Sequence, residues 1–359
     1  MNIESAKIKS ALSSLKWLLA KQNKDGSWGN SSIEKIRWTS NALLTMHELG
    51  FNSDYTPITK SVKWLNAYSQ NEEEWYLKIP PLLALGFQNE LEKNGEIENL
   101  KRIIADDKIG VLPFKVAIIL ELKKHKINIE GLDKVEFSVL NTLRDEGNSL
   151  LSFSNSTNTT SLYCEFLSTF YIDKHKDTIA KCISWVLVRK IVSSQNHSIC
   201  WENSYGKTSY VLINLLNTVQ DQHSIIPLIK PILYYFQQDK EGAILPDKIA
   251  AYKSTSSVYT TILFIRLVAA IANSNTTIYK DIFGENFKEV SLFEIRNRKI
   301  MSILKLTLIS VIIFLSIGCI IYFVIGRAFA ESVFASLIAA AMPLVFTIIK
   351  KYLNNNVGF

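Results

Sequence analysis

The sequence predicts an all-α protein in which about six helix pairs precede a C-terminal two-helix membrane hairpin. Three observations lead there. A unit of apolar helix, polar turn and second helix recurs with a period of roughly 35 to 50 residues. Serine, threonine or proline stands at the start of most second helices, where an N-cap or an N1 proline belongs. Two long apolar runs follow, Ile300 to Ile325 and Ala328 to Ile349.

The clearest unit is LKWLLAKQNKDGSWGN followed by RWTSNALLTMHELG. It is an apolar helix ending at Gln22, a turn closed by Gly26 and Trp28, and a second helix opening near Thr39 and Ser40. Residues 62–87 (VKWLNAYSQNEEEW, then KIPPLLALGF) echo it, as do residues 183–217 and 229–268. The Trp17–Thr39 and Trp185–Thr208 separations agree to within one residue, so the echo keeps register. Weaker units at 97–122 and 136–168 complete the series. Every amphipathic helix leaves a face to cover, and a closed or curved ring of pairs covers all of them. The expected layout is a ring over 1–271, a linker and juxtamembrane helix over 272–299, spans at 300–325 and 328–349, and a tail over 350–359.

The chain is 48% hydrophobic and 20% charged, values of a globular protein, but the apolar residues crowd toward the last sixty or so positions. The first run carries a single charge, Lys305, about one turn in and able to snorkel. At about 1.5 Å per residue it is long enough for a bilayer core. Arg296, Arg298, Lys299, Lys350 and Lys351 flank the outer ends of the hairpin, while its turn holds Arg327 and Glu331. The positive-inside rule places both termini in the cytoplasm. The amphipathic N-terminus has charges throughout and no cleavage site, unlike a signal peptide. Cys164, Cys182, Cys200 and Cys319 lack metal-ligand spacing and are expected as reduced thiols.

Residues that would mark common chemistries are missing. There is no phosphate-binding glycine loop, no G-x-G-x-x-G and no G-x-S-x-G elbow. The five histidines are scattered with no i, i+4 pair. Neither a metal nor a cofactor is expected.

The first unit, with an aromatic-Leu pair and then Gln22, Gly26 and Trp28, resembles the QW motif of the terpene cyclase and protein prenyltransferase toroids. The resemblance implies an α/α toroid in which the Gln and Trp tie each loop to neighbouring helix ends. It does not carry the chemistry across. The Asp-x-Asp-Asp acid of the squalene-type cyclases occurs nowhere, and Asp106-Asp107 lacks its first acid. The Asp, Cys and His zinc set of the prenyltransferases has no counterpart either. The expectation is therefore a binding ring, not an enzyme.

Basic residues, often beside an aromatic, stand before or at the start of several second helices: Arg37 with Trp38, Lys78, Lys115, Lys207 with Tyr205 and Tyr210, and Lys253 with Tyr252. In a toroid those helix starts gather at one rim, where unpaired amides and cations attract anions. Interleaved aromatic faces suit stacked bases, so the expected ligand is a nucleotide or a single-stranded DNA oligomer. The plainer alternative is an ordinary charged surface.

The second apolar run differs from the first. Ser332, Ala335, Ser336, Ala339, Ala340 and Pro343 fall at three- and four-residue spacings and give one small, weakly polar face. Such a face lets helices pack closely or line a narrow pore. The pore set is Arg327, Glu331, Ser332, Ser336, Ala339, Ala340 and Pro343, and a pore requires a homo-oligomer such as a tetramer.

A cytoplasmic ring on a two-helix hairpin is similar in plan to the Hailong-type membrane effectors of bacterial antiphage defence. That resemblance lies in domain order and size. It implies an ion channel whose cytoplasmic crown binds a DNA oligomer made by a partner nucleotidyltransferase. The alternatives are a membrane-tethered toroid enzyme acting on isoprenoids and a membrane-anchored scaffold for a peptide or protein.

Overall fold

The computed structural model describes residues 3–106, 108–219, 224–246 and 257–274. All of them belong to the first of two units into which the chain divides, Met1–Leu292 and Phe293–Phe359. The described part is mostly helical, as expected. Both predicted membrane spans and the pore set lie outside the described residues. Among the described residues no helix is long and apolar enough to cross a membrane.

The helices are α1 (Ile3–Ala20), α2 (Ser32–Glu48), α3 (Thr56–Ala67), α4 (Ile79–Ala84), α5 (Gln88–Lys93), α6 (Glu96–Ala105), α7 (Leu112–Lys124), α8 (Leu132–Leu140), α9 (Thr157–Val188), α10 (Tyr205–Thr218), α11 (Ile226–Tyr235) and α12 (Ser257–Ser274). Their starts follow capping chemistry. Ser31 opens α2 with a capping box closed by Glu34, and Ser156 and Ser204 cap α9 and α10. Proline occupies the first turn of α3, α4, α7 and α11. The second helix of the first unit therefore begins at Ser32 and not near Thr39. Ser31 has the glutamate three positions on that a capping box needs, whereas Thr39 is buried and its hydroxyl is used elsewhere.

Two short antiparallel hairpins depart from the all-α expectation. Strands β1 (Leu143–Asp145) and β2 (Leu151–Phe153) pair with Leu143 opposite Phe153, and β3 (Ile191–Val192) pairs with β4 (Ile199–Cys200). Both sit between the two helices of a repeat, where the first unit has its Gly26 turn. The stretch α9 runs through two consecutive units, but its backbone leaves helical geometry at Tyr171 and His175, so it is two helices joined at a kink.

Four repeats share one buried hydrogen bond. The main-chain N–H groups of Trp28, Phe153, Trp201 and Ile244 donate to the hydroxyls of Thr39, Thr160, Thr208 and Thr261 at 2.9, 2.9, 3.0 and 2.9 Å. All four apolar side chains are fully buried, each contributing about 1.5–3 kcal/mol by leaving water. The indoles of Trp28 and Trp201 also donate to the carbonyls of Leu18 and Val186, both at 2.8 Å, tying loop to preceding helix.

Gln22 Nε2 lies 3.0 Å from the Gly26 carbonyl, 2.8 Å from that of Pro57 and 2.9 Å from Ser61 Oγ, docking the first loop on α3. Gln238 repeats the arrangement at the other end of the described chain. Its Nε2 lies 2.9 Å from the Gly242 carbonyl, the Ser10 carbonyl and Ser14 Oγ, so the last loop docks on α1. Helix contacts follow a cycle: α2 meets α4, α4 meets α7, α7 meets α9, α9 meets α10, α10 meets α12, and α12 returns to α2. The first and last repeats thus touch within this unit.

Candidate functional site

Each helix of that cycle except α4 directs polar side chains toward the others. On α10, Asn214 donates to Ser161 Oγ of α9 at 3.0 Å, and Asn217 donates to Glu165 of α9 at 2.8 Å. Tyr210 and Tyr259 hydroxyls meet at 3.3 Å between α10 and α12. The center of the network is Arg266 on α12. Its guanidinium donates to Asn41 of α2 and to Glu121 of α7, each at 3.2 Å, and lies 3.4 Å from Glu48 of α2. Because α7 stands opposite α12 in the cycle, the Arg266–Glu121 contact reaches across its middle.

Burial and charge set the protonation of this network. Glu165 is only 7% exposed, and that desolvation pushes its carboxyl up to about 7, against the smaller opposing pull of Lys124 and the Asn217 hydrogen bond. Burial raises Glu48 as well, although Arg266 opposes it. Burial would raise Glu121 too, but Lys124 and Arg266 together hold it below the usual carboxylate range. Glu48 Oε2 and Arg266 Nε are buried with no hydrogen-bond partner among the described residues.

The Glu165 shift has a measurable consequence. Its folded value lies above the ordinary 4.5, so the unfolded chain loses this proton first as pH rises, and stability falls from about pH 4.5 to 7 before levelling. Glu165→Gln keeps an acceptor for Asn217 without a charge. It is expected to leave stability unchanged at pH 4 and to raise it by about 3 kcal/mol at pH 8. Paired denaturant titrations across that range test it, and parallel curves for the two proteins would refute the shift.

The sequence-predicted rim divides into three groups. Arg37, Trp38 and Tyr210 come together around a residue that sequence reasoning missed, Tyr259. The Trp38 and Tyr259 rings stack at 6.5 Å, and burial followed by the Tyr210 contact raises the Tyr259 hydroxyl well above its ordinary value. Phe114, also missed, lies under the Arg37 guanidinium at 5.5 Å. Repeat register does not mark Tyr259, which stands two residues before Thr261 whereas Tyr210 stands two residues after Thr208.

The second group does not present free cations. Lys78 is 2% exposed, pairs with Glu96 at 3.0 Å and donates to the Tyr68 carbonyl at 2.8 Å, so it fastens the α4 start to α6. Lys115 is 5% exposed in the first turn of α7. Tyr205 is buried against Tyr235 and Phe236, with ring centroids at 4.9 and 5.3 Å. Lys207 forms an ion pair with Glu202, whose carboxylate also accepts from the Thr157 N–H and hydroxyl. Lys78 is thereby committed to structure, because a buried ammonium needs a counter-charge to be tolerated, and Lys207 is held by Glu202. The third group, Tyr252 and Lys253, lies outside the described residues.

Arg37 is also paired. Its Nε donates to Glu74 Oε2 at 2.6 Å and a terminal nitrogen reaches Glu74 Oε1, a bidentate contact that raises the guanidinium further. Unlike Lys78, it keeps 41% of its side chain exposed. Among the described residues no group of three or more His, Cys, Asp and Glu could hold a metal ion. No family model matches the chain, and no curated protein matches its sequence.

Proposed function

We propose that residues 1–271 form an α/α toroid of the QW type whose axis binds an anionic ligand, a nucleotide or a DNA oligomer. We propose further that the apolar runs at 300–325 and 328–349 form a membrane hairpin and that the protein is a homo-oligomeric ion channel gated by that ligand in bacterial antiphage defence. The observation that carries the binding part is the polar network meeting at Arg266. Five helices contribute charged or amide side chains to their common middle, where apolar packing would have been more stabilising. The matching bonds of Gln22 and Gln238 and the return of α12 to α2 support a closed ring.

Gating demands that the ligand bind the open and closed states unequally, since equal affinity shifts nothing. Native mass spectrometry of the detergent-purified full chain is the direct test. The expected result is an oligomer, such as a tetramer, carrying a nucleotide or oligonucleotide mass from a partner nucleotidyltransferase. A bare monomer that binds neither ATP nor an oligodeoxynucleotide would sink the reading.

A second reading, a toroid enzyme acting on isoprenoids, is favoured by Glu165, a carboxylic acid still half-protonated near neutral pH beside the axis. Turnover of a polyprenyl diphosphate that Glu165→Gln abolishes would select it.

A further inference from the structure

Glu74 stands where the repeat wants glycine. In the first unit Gln22 is followed four residues later by Gly26, with φ of +96°, and in the last unit Gln238 is followed by Gly242, with φ of +106°. The second unit has Gln70 and then Glu74, with φ of 56°. Gln70 accepts from Asn99 of the following outer helix, α6, at 2.8 Å, and so contacts the next repeat as Gln22 does. The chain therefore keeps the positive φ and the docking glutamine but places a glutamate in a conformation that L side chains rarely adopt. Nothing in the turn calls for a carboxylate. Its use is at the other end of the side chain, on Arg37.

Resting on the anion-binding reading above, we propose that Arg37 is the ligand's phosphoryl clamp and that Glu74 is a competitor built into the chain, displaced when ligand binds. The bidentate geometry that holds a carboxylate is the one that holds two phosphate oxygens. The clamp can be reached from solvent, because Arg37 is 41% and Phe114 37% exposed, and Phe114 offers a ring face directly beside the guanidinium. A ligand carrying a phosphoryl group next to a nucleobase meets both. Glu72 and Glu73 are exposed beside Glu74, so an approaching anion is repelled until this acidic turn withdraws. Withdrawal would free the turn between Tyr68 and Trp75, while Lys78, held by Glu96 and the Tyr68 carbonyl, keeps its base in place. Binding and a change in the turn are thereby the same event.

The test uses the full chain in detergent with ATP and a short oligodeoxythymidylate as probes, followed by calorimetry. Glu74→Gln is expected to tighten binding of at least one probe tenfold or more, and Arg37→Gln to abolish it in either background. Glu74→Gly is the variant that restores the residue the turn prefers, so it removes the carboxylate without endangering the fold and should tighten binding equally. Binding that is indifferent to both Glu74 variants, or that survives Arg37→Gln, overturns the competitor and leaves the wider ligand reading standing. If no probe binds the parent protein, Glu74→Gln or Glu74→Gly, both fall together.

Discussion

Gly242→Val is expected to destabilise the protein by about 3–5 kcal/mol, lowering the melting temperature by roughly 10 °C, through a contact more than two hundred residues away. Gly242 has φ of +106°, and a Cβ there would stand 2.5 Å from Ser13 Oγ and 2.7 Å from the Ser13 carbonyl oxygen of α1. The hydroxyl can rotate away, but the carbonyl belongs to a helix and cannot. Ser14 Oγ donates to the Gly242 carbonyl at 2.8 Å, and Ser10 Oγ to Gln238 Oε1 at 2.7 Å, so the same push breaks the hydrogen bonds joining the first and last repeats. Gly147→Ala is the control. Its φ is also positive, at +76°, but nothing lies within 4 Å of the added Cβ, leaving a backbone penalty of only about 1 kcal/mol. Hydrogen exchange should show the Gly242 variant opening α1 and α12 together. Equal melting of the two variants would show that the last loop does not rest on α1.

That contact marks how far the residues could be read in advance. Gln22, Gly26 and Trp28 are legible because a positive φ admits glycine and a buried indole needs a nearby carbonyl. The last unit keeps Gln238 and Gly242, which lets residues 229–268 read as an echo of the first, and Ile244 replaces the indole while its main-chain bond to a threonine remains. The β-hairpins were missed because strands of two and three residues give no usable alternation. Helix-start logic found the start of α10 but placed that of α2 about seven residues late, and it counted charges near those starts without asking what answers them. Glu202 is five residues before Lys207 and could have been noticed, whereas Glu96 reaches Lys78 only through the tertiary fold. Arg266 was the clearest missed signal: one guanidinium inside SVYTTILFIRLVAAIA, a run otherwise free of charge, has to be satisfied from other helices.

Arg266→Ala is accordingly expected to cost about 3–5 kcal/mol at pH 8, because it leaves Glu48 and Glu121 without their shared counter-charge and Asn41 without its donor. The loss should shrink as pH falls. With Arg266 gone, burial is opposed at Glu121 by Lys124 and His125 alone, so its folded value rises, and protonation at acid pH relieves the repulsion that Glu121 and Glu48 exert on each other. Arg266→Met combined with Glu121→Gln and Glu48→Gln should recover most of the stability, since the charges leave together and the volumes stay close. The recovered triple variant then separates structure from binding, because it retains Arg37, Trp38, Tyr210 and Tyr259. If the polar middle serves only to hold the helices in register, the triple variant binds ATP or oligodeoxynucleotide like the parent. If Arg266 faces the ligand, the variant folds, melts near the parent temperature and has lost affinity at least tenfold.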